Sequence, residues 1–147
     1  MRILIDGNVL LDVLQGREPH ERDSRAVWGL CENGMAEGWI SSLTFANIVY
    51  IMRKDLTPET ISAVLGTLSQ IFRFTDLPLS DLKQASAMMW PDFEDALQTA
   101  AAVRIGADYI VTRNLKDFQN SPVPCISPSG FLDLFLSGNS GSGPNPV

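Results

Sequence analysis

Short apolar runs and longer helix-length stretches take turns along this chain, and that alternation limits the fold more than any other feature. Strand-like runs lie at 2–5 (RILI), 38–42 (GWISS), 71–77 (IFRFTDL), 108–112 (DYIVT) and 123–127 (VPCIS). Strands that alternate with helices imply a parallel sheet with helices on both faces. The expected architecture is a three-layer α/β/α domain around a parallel sheet of four to five strands.

Helix signals fill the gaps between these runs. Asn8 to Gln15 reads as a short helix directly after the first strand. In the break GREPHERDS, Pro19 suits a place just inside the next helix, whose stripe of Ala26, Val27, Leu30 and Cys31 leads to Asn33-Gly34. LTFANIVYIMRK is apolar on nearly every side, which predicts a buried helix. Thr57 and Pro58 are a cap and a first helical residue for a helix through Leu65 and Leu68. Ser80 is read as the cap of LSDLKQASAMM. Asp92 opens a helix that Gly106 ends, and Ser127-Pro128 opens a last helix through Phe135. SGNSGSGPNPV has linker composition, so residues 1–136 are assigned to the domain and 137–147 to a disordered tail, native or left by cloning.

The net charge of −6 argues against a protein that coats nucleic acid through a basic patch. It leaves nucleic-acid chemistry open, because a metal ion or a basic partner chain can supply positive charge. Cys31, Cys125 and His20 are the only cysteines and histidine, which rules out a Cys/His zinc site. Arg2 is followed by only three apolar residues before Asp6, too few for a secretory leader, and no run has the length to span a bilayer. A cytoplasmic, reduced protein with no membrane association is expected.

The first strand stops on a carboxylate, Asp6, at the edge of the core, where a charge is costly unless something pairs with it. A helix cap and a cation are both open as partners. In a parallel sheet the carboxyl ends of the strands share one edge, and ligands bind in the crevice outside it. Asp6 follows the first strand, Asn47 lies in the helix after the second, and Thr112, Asn114 and Asp117 follow DYIVT. The helix that begins with Asp92, Glu94 and Asp95 runs antiparallel to the strand after it, so its start reaches the same edge. Singly, each has a plainer explanation. Asp6 and Asp92 are good caps, Asp117 suits a turn, Asn47 suits a hydrogen-bonded buried amide, and Glu94 a solvated position. Asp12 and Asp108 read as surface or turn residues. The shared location is what points to a site.

ILIDGNVLLD and DFEDALQTAAAVRIGADYIVTRNLKDF together resemble the PIN-domain nucleases, in particular small stand-alone bacterial members of the VapBC toxin type. The resemblance covers residues 2 to about 135. It implies Mg²⁺- or Mn²⁺-dependent hydrolysis of RNA phosphodiesters by clustered acids. By position, Asp6, Asp95 and Asp117 would hold the metal, with Asn47 the fourth catalytic position. Asn8, Asp92, Thr112 and Asn114 would support them. Three positions depart from the family pattern: Gly7 replaces a hydroxyl residue, Asn47 a common Glu, and Asn114 a common Asp. Three aspartates still carry enough charge for one hard dication, which prefers oxygen ligands and keeps several waters.

Arg113 and Lys116 are the cations nearest in sequence for phosphate contact. Trp28, Trp39 and Trp90 are candidates for stacking on RNA bases, with core packing the alternative for Trp39. The resemblance further implies a cognate antitoxin, often with a basic segment that enters the acidic cleft, and a homodimer. The competing readings are a PIN-like module of weak activity that works through protein contacts, and a receiver- or phosphatase-like domain. DGN lacks the second Asp that the phosphatase pattern requires.

Overall fold

The computed structural model describes residues 1–142. Five strands, β1 (Arg2–Ile5), β2 (Glu37–Ser41), β3 (Arg73–Thr75), β4 (Tyr109–Val111) and β5 (Cys125–Ile126), form one sheet. Their order is β3-β2-β1-β4-β5, and every neighbouring pair is parallel. The helices are α1 (Gly7–Leu14), α2 (Glu21–Glu32), α3 (Ser42–Ile51), α4 (Pro58–Ile71), α5 (Leu79–Met88), α6 (Phe93–Ile105) and α7 (Pro128–Ser142).

β1 is the middle strand, and its side chains alternate between the two faces of the sheet. Ile3 and Ile5 join Val9 and Leu10 of α1, Val27 of α2, Ile48 of α3, Leu68 of α4 and Phe131 of α7. Leu4 faces the other way, onto Ala101, Ala102 and Ile105 of α6. The alanines let α6 lie close to the sheet, and Ala96 and Leu97 then carry α5 through Ala85. Each large aliphatic side chain buried in this way contributes about 1.5–3 kcal/mol. Gly38 of β2 is needed for the same close packing: a Cβ there would lie 2.6 Å from Cys31 Sγ and 2.8 Å from Phe72 Cδ1.

From β1 the chain moves outward through β2 and β3, then crosses back to β4 on the other side of β1. Strand order therefore reverses between β1 and β4, and a crevice opens at their carboxyl ends. Asp6 and Thr112 are the first residues beyond those two strands.

Local details differ from the sequence expectation at four places. Pro19 precedes α2, because the chain turns first: His20 N and Glu21 N both donate to Arg17 O, and Pro19, with no N–H to place, lies inside that turn, after Arg17 and before His20. Ser80 is not a cap, since the extended Pro78 leads directly into α5 and its carbonyl accepts from Asp81 N. α3 is not buried all round. It packs along Thr44 and Ile48, leaving Tyr50 and Ile51 exposed at 65% and 49%. α7 runs past Phe135 to Ser142, and the rest of the expected tail, 143–147, lies outside the described residues. No helix among the described residues is long and apolar enough to cross a membrane.

Candidate active site

The crevice is a cleft of about 340 Å³ whose lining includes Asp6, Asn8, Asn47, Asp92, Glu94, Asp95, Asn114 and Asp117. Four separate parts of the chain meet there: the β1–α1 junction, α3, the start of α6 and the 3₁₀ turn Leu115–Phe118 after β4. Among the described residues, five carboxylates face a single basic residue on its walls, Arg17.

Asp6 is the N-cap of α1, and its Oδ1 accepts from Gly7 N at 2.8 Å. The cap uses only part of its bonding capacity. Oδ2 accepts from the hydroxyl of Thr112 at 2.7 Å, and Oδ1 also accepts from Gln98 Nε2 at 3.3 Å. Burial pushes the Asp6 carboxyl above its ordinary pKa and the charge of Asp117 adds to this, against the opposing hydrogen bonds.

Thr112 is fully buried and ties the two strand ends together. Its oxygen accepts from Asn114 N at 3.0 Å and, at the limit of 3.5 Å, from Asn8 Nδ2. Asn8 Oδ1 in turn accepts from Arg113 N at 3.4 Å.

Across the cleft, Asp92 caps α6 by accepting from Asp95 N at 3.1 Å. Asp95, one turn in, has its pKa raised to about 7 by burial first, then by the charges of Asp92, Asp6, Asp117 and Glu94. Glu94 is also raised, by burial and by Asp92 and Asp6, while a hydrogen bond from Asn47 pulls it down. Burial, with mutual repulsion added, thus disfavours the charged forms of Asp95 and Glu94, and a bound cation would offset both effects. The donors are all oxygen, suited to a hard divalent ion. Among the described residues, no three Asp, Glu, His or Cys side chains close on one point tightly enough to ligate an ion unaided.

One sequence expectation fails, and the structure places the two basic candidates differently. Asp12 is not a surface residue: it is fully buried, and its carboxylate accepts from Ser24 Oγ at 2.8 Å and from Arg113 Nε at 2.9 Å. Arg113 is therefore not free for phosphate contact in this cleft, because its guanidinium neutralises Asp12. Lys116 lies outside the main cleft and lines an adjoining one with Trp90. Of the other tryptophans, Trp28 packs edge-on against Phe72, and Trp39 lies under Arg2 and Arg73 with its indole N–H on Glu37.

Sequence reading missed Gln98 and Arg17. Gln98 is 3% exposed, and its Nε2 bridges Asp6 and Thr44 Oγ1, the latter at 3.0 Å. Its signal was present: a polar residue one turn beyond Asp95 on a helix of small and apolar residues. Arg17 carried no comparable mark, since it sits in a turn-rich break.

A parallel α/β/α sheet with an acid-lined crevice at its switch point is the class of protein these features define. Residues 2–116 match the PIN domain, and the chain belongs to that family. No curated protein matches the sequence. Among solved structures, a toxin–antitoxin complex from Klebsiella pneumoniae aligns with TM-score 0.68 at 22% identity, covering 86% of this chain and 97% of that one. VapBC2 from Rickettsia felis, bound to a promoter DNA fragment, aligns with TM-score 0.61 at 17% identity over 86% and 98% of the two chains. VapC20 from Mycobacterium tuberculosis, a Sarcin-Ricin loop cleaving toxin, aligns with TM-score 0.59 at 15% identity over 74% and 86%. The fold is thus that of the toxin PIN structures.

Proposed function

We propose that this chain is a divalent-metal-dependent endoribonuclease and the toxin of a toxin–antitoxin pair. The observation that carries this reading is the convergence of Asp6, Asp95 and Asp117, with Asp92 and Glu94, in one cleft at the switch point. Asp6, Asp95 and Asp117 would hold Mg²⁺ or Mn²⁺, and Asn47 would orient water through its amide. When bound, such an ion polarises the phosphodiester and lowers the pKa of water for in-line attack.

The chain's own residues supply position and charge. Thr112 and Gln98 fix both oxygens of Asp6, and Asp92 holds the first turn of α6 so that Asp95 faces the cleft. Arg17, whose Nε donates to Gln15 Oε1, would meet a phosphate oxygen from the cleft wall with the rest of its guanidinium. A basic antitoxin segment has the charge to occupy the same acidic cleft, and the likeness to toxin–antitoxin complexes supports that partnership. On this reading the chain would act on RNA in the cytoplasm. A homodimer is part of the same reading, with the exposed Tyr50 and Ile51 of α3 available for contact.

Asn47 and Asn114 favour a second reading, a PIN-fold module with little catalysis that acts through protein binding. One experiment separates the two: purified chain is incubated with RNA in Mn²⁺, Mg²⁺ or chelator, alongside Asp6→Asn. Metal-dependent cleavage that drops at least roughly 100-fold in Asp6→Asn supports the nuclease. Equal cleavage in both chains, or none with either metal, removes it.

A further inference from the structure

The geometry points to a seat for one unpaired RNA nucleotide beside the acidic cleft, with its base against Trp90 and its phosphate toward Lys116. The inference rests on the ribonuclease reading for its substrate class. The observation behind it is a second cleft, of about 190 Å³, lined by Trp90, Lys116, Gln119 and Asn120. It shares Asp92, Asp95 and Asp117 with the main cleft, so the two meet along one wall of carboxylates. A strand whose phosphate lies among those acids has its neighbouring nucleotide at Trp90.

The lining has the chemistry that a nucleotide requires. Trp90 is partly buried against the apolar residues around Phe118 and Leu97, with its ring edge-on to Phe118 at 6.2 Å and 78°, so the part that lines the cleft is a fixed aromatic surface. Trp28 and Trp39 line neither cleft. Lys116, Gln119 and Asn120 are exposed, and their side chains have no hydrogen-bond or ion-pair partner among the described residues. Lys116 thus differs from Arg113, whose charge Asp12 already neutralises. An ammonium can contact a phosphate as a point charge, while the two amides each offer a donor and an acceptor to a base edge. Bases are free to stack on an aromatic residue only where they are unpaired, so the seat selects single strands or loops over duplex.

The test is binding of the full chain to a fluorescein-labelled single-stranded hexaribonucleotide in Ca²⁺, read by anisotropy, with intact oligonucleotide checked on a gel. Trp90→Ala is expected to weaken binding about tenfold and Trp90→Phe to restore most of it, as stacking on an aromatic ring requires. Lys116→Ala is expected to weaken binding and to lower the salt slope by about 0.7. Because Trp90 also touches Phe118, the exposed pair Gln119→Ala and Asn120→Ala provides a second reading, with an expected loss of base preference among homopolymeric hexamers.

Unchanged affinity in Trp90→Ala, no binding by the unsubstituted chain, or equal binding of a hairpin stem would each overturn the seat. Cleavage in Mn²⁺ is scored separately. A chain that binds through Trp90 and cuts nothing keeps the seat and loses the nuclease assignment.

Discussion

The hydroxyl of Thr112 donates to Asp6 Oδ2 at 2.7 Å, joining the ends of two neighbouring parallel strands through side chains. One residue closes β4 and the other closes β1, so sheet register alone places them together. The same oxygen receives the amide of Asn114, which aligns the loop that carries Asp117. Thr112→Val keeps the shape and removes both interactions. It should cost about 1–3 kcal/mol, because a buried carboxylate oxygen and a backbone N–H lose their partner. Urea unfolding measures that loss, and cleavage should fall with it as Asp6 loses its orientation. A variant as stable and as active as the parent would show that Thr112 does not organise the site.

Arg113 and Asp12 are a second structural pair with an asymmetric prediction. Asp12 is fully buried and Arg113 is not, so the two halves of the ion pair are unequal when separated. Arg113→Ala leaves a buried carboxylate with only Ser24 as a partner, and should destabilise by about 3–5 kcal/mol. Asp12→Asn leaves a cation that can turn toward water, and should cost distinctly less. Thermal midpoints of the two variants decide the matter, and equal losses would contradict the burial argument. If Arg113 instead served RNA, its substitution would raise KM with little change in stability.

These two pairs also show where sequence reading stopped. Ile3, Leu4 and Ile5 announce a central strand, and the helix punctuation at Asp92 and Gly106 is plain, so the order of elements follows directly. Asp6, Asp95 and Asp117 could be grouped because parallel strands send their carboxyl ends to one edge. Asp12 could not. Its burial depends on Ser24 of α2 and Arg113 beyond β4, which are distant in sequence and linked by no local signal. α3 misled in the opposite direction: its composition suits a core helix, but packing covers only the Thr44–Ile48 line.

Asp95 sets the expected dependence on pH and metal. Its folded pKa, raised to about 7 from 3.8, means that between those values the metal-free folded chain binds more protons than the unfolded chain. Stability of the metal-free protein should therefore be greatest at the acid end of that window and fall as pH rises toward 7. Asp6 acts in the same direction. A divalent ion competes with these protons, so Mn²⁺ affinity should increase from pH 6 to pH 8, with proton release on binding. At 100 times its dissociation constant the ion should add about 2.7 kcal/mol of stability. Calorimetric titration at several pH values tests this, and Asp95→Asn should flatten the profile. A metal-induced shift independent of pH would separate Asp95 from the ion.

Glu94 is placed to make good part of the charge that Asn47 lacks. Both line the main cleft, and the Asn47 amide favours the ionised Glu94 carboxylate while burial, Asp92 and Asp6 oppose its ionisation. Glu94 projects from the first turn of α6, where the helix dipole also favours negative charge. Glu94 would thus act as an outer carboxylate of the site, a kind of group whose loss typically weakens metal binding about 10–100-fold. Glu94→Gln keeps the size and removes the charge, and should weaken Mn²⁺ binding within that range with little effect on folding, since the residue as a whole is exposed and only its carboxylate is partly shielded by the cleft. Asn47→Ala removes only the donor. Its effect should be smaller, because the Glu94 charge remains. Calorimetric titration of both variants at pH 7 and pH 8 discriminates: if Glu94→Gln binds Mn²⁺ like the parent, the acid cluster that matters is limited to Asp6, Asp95 and Asp117.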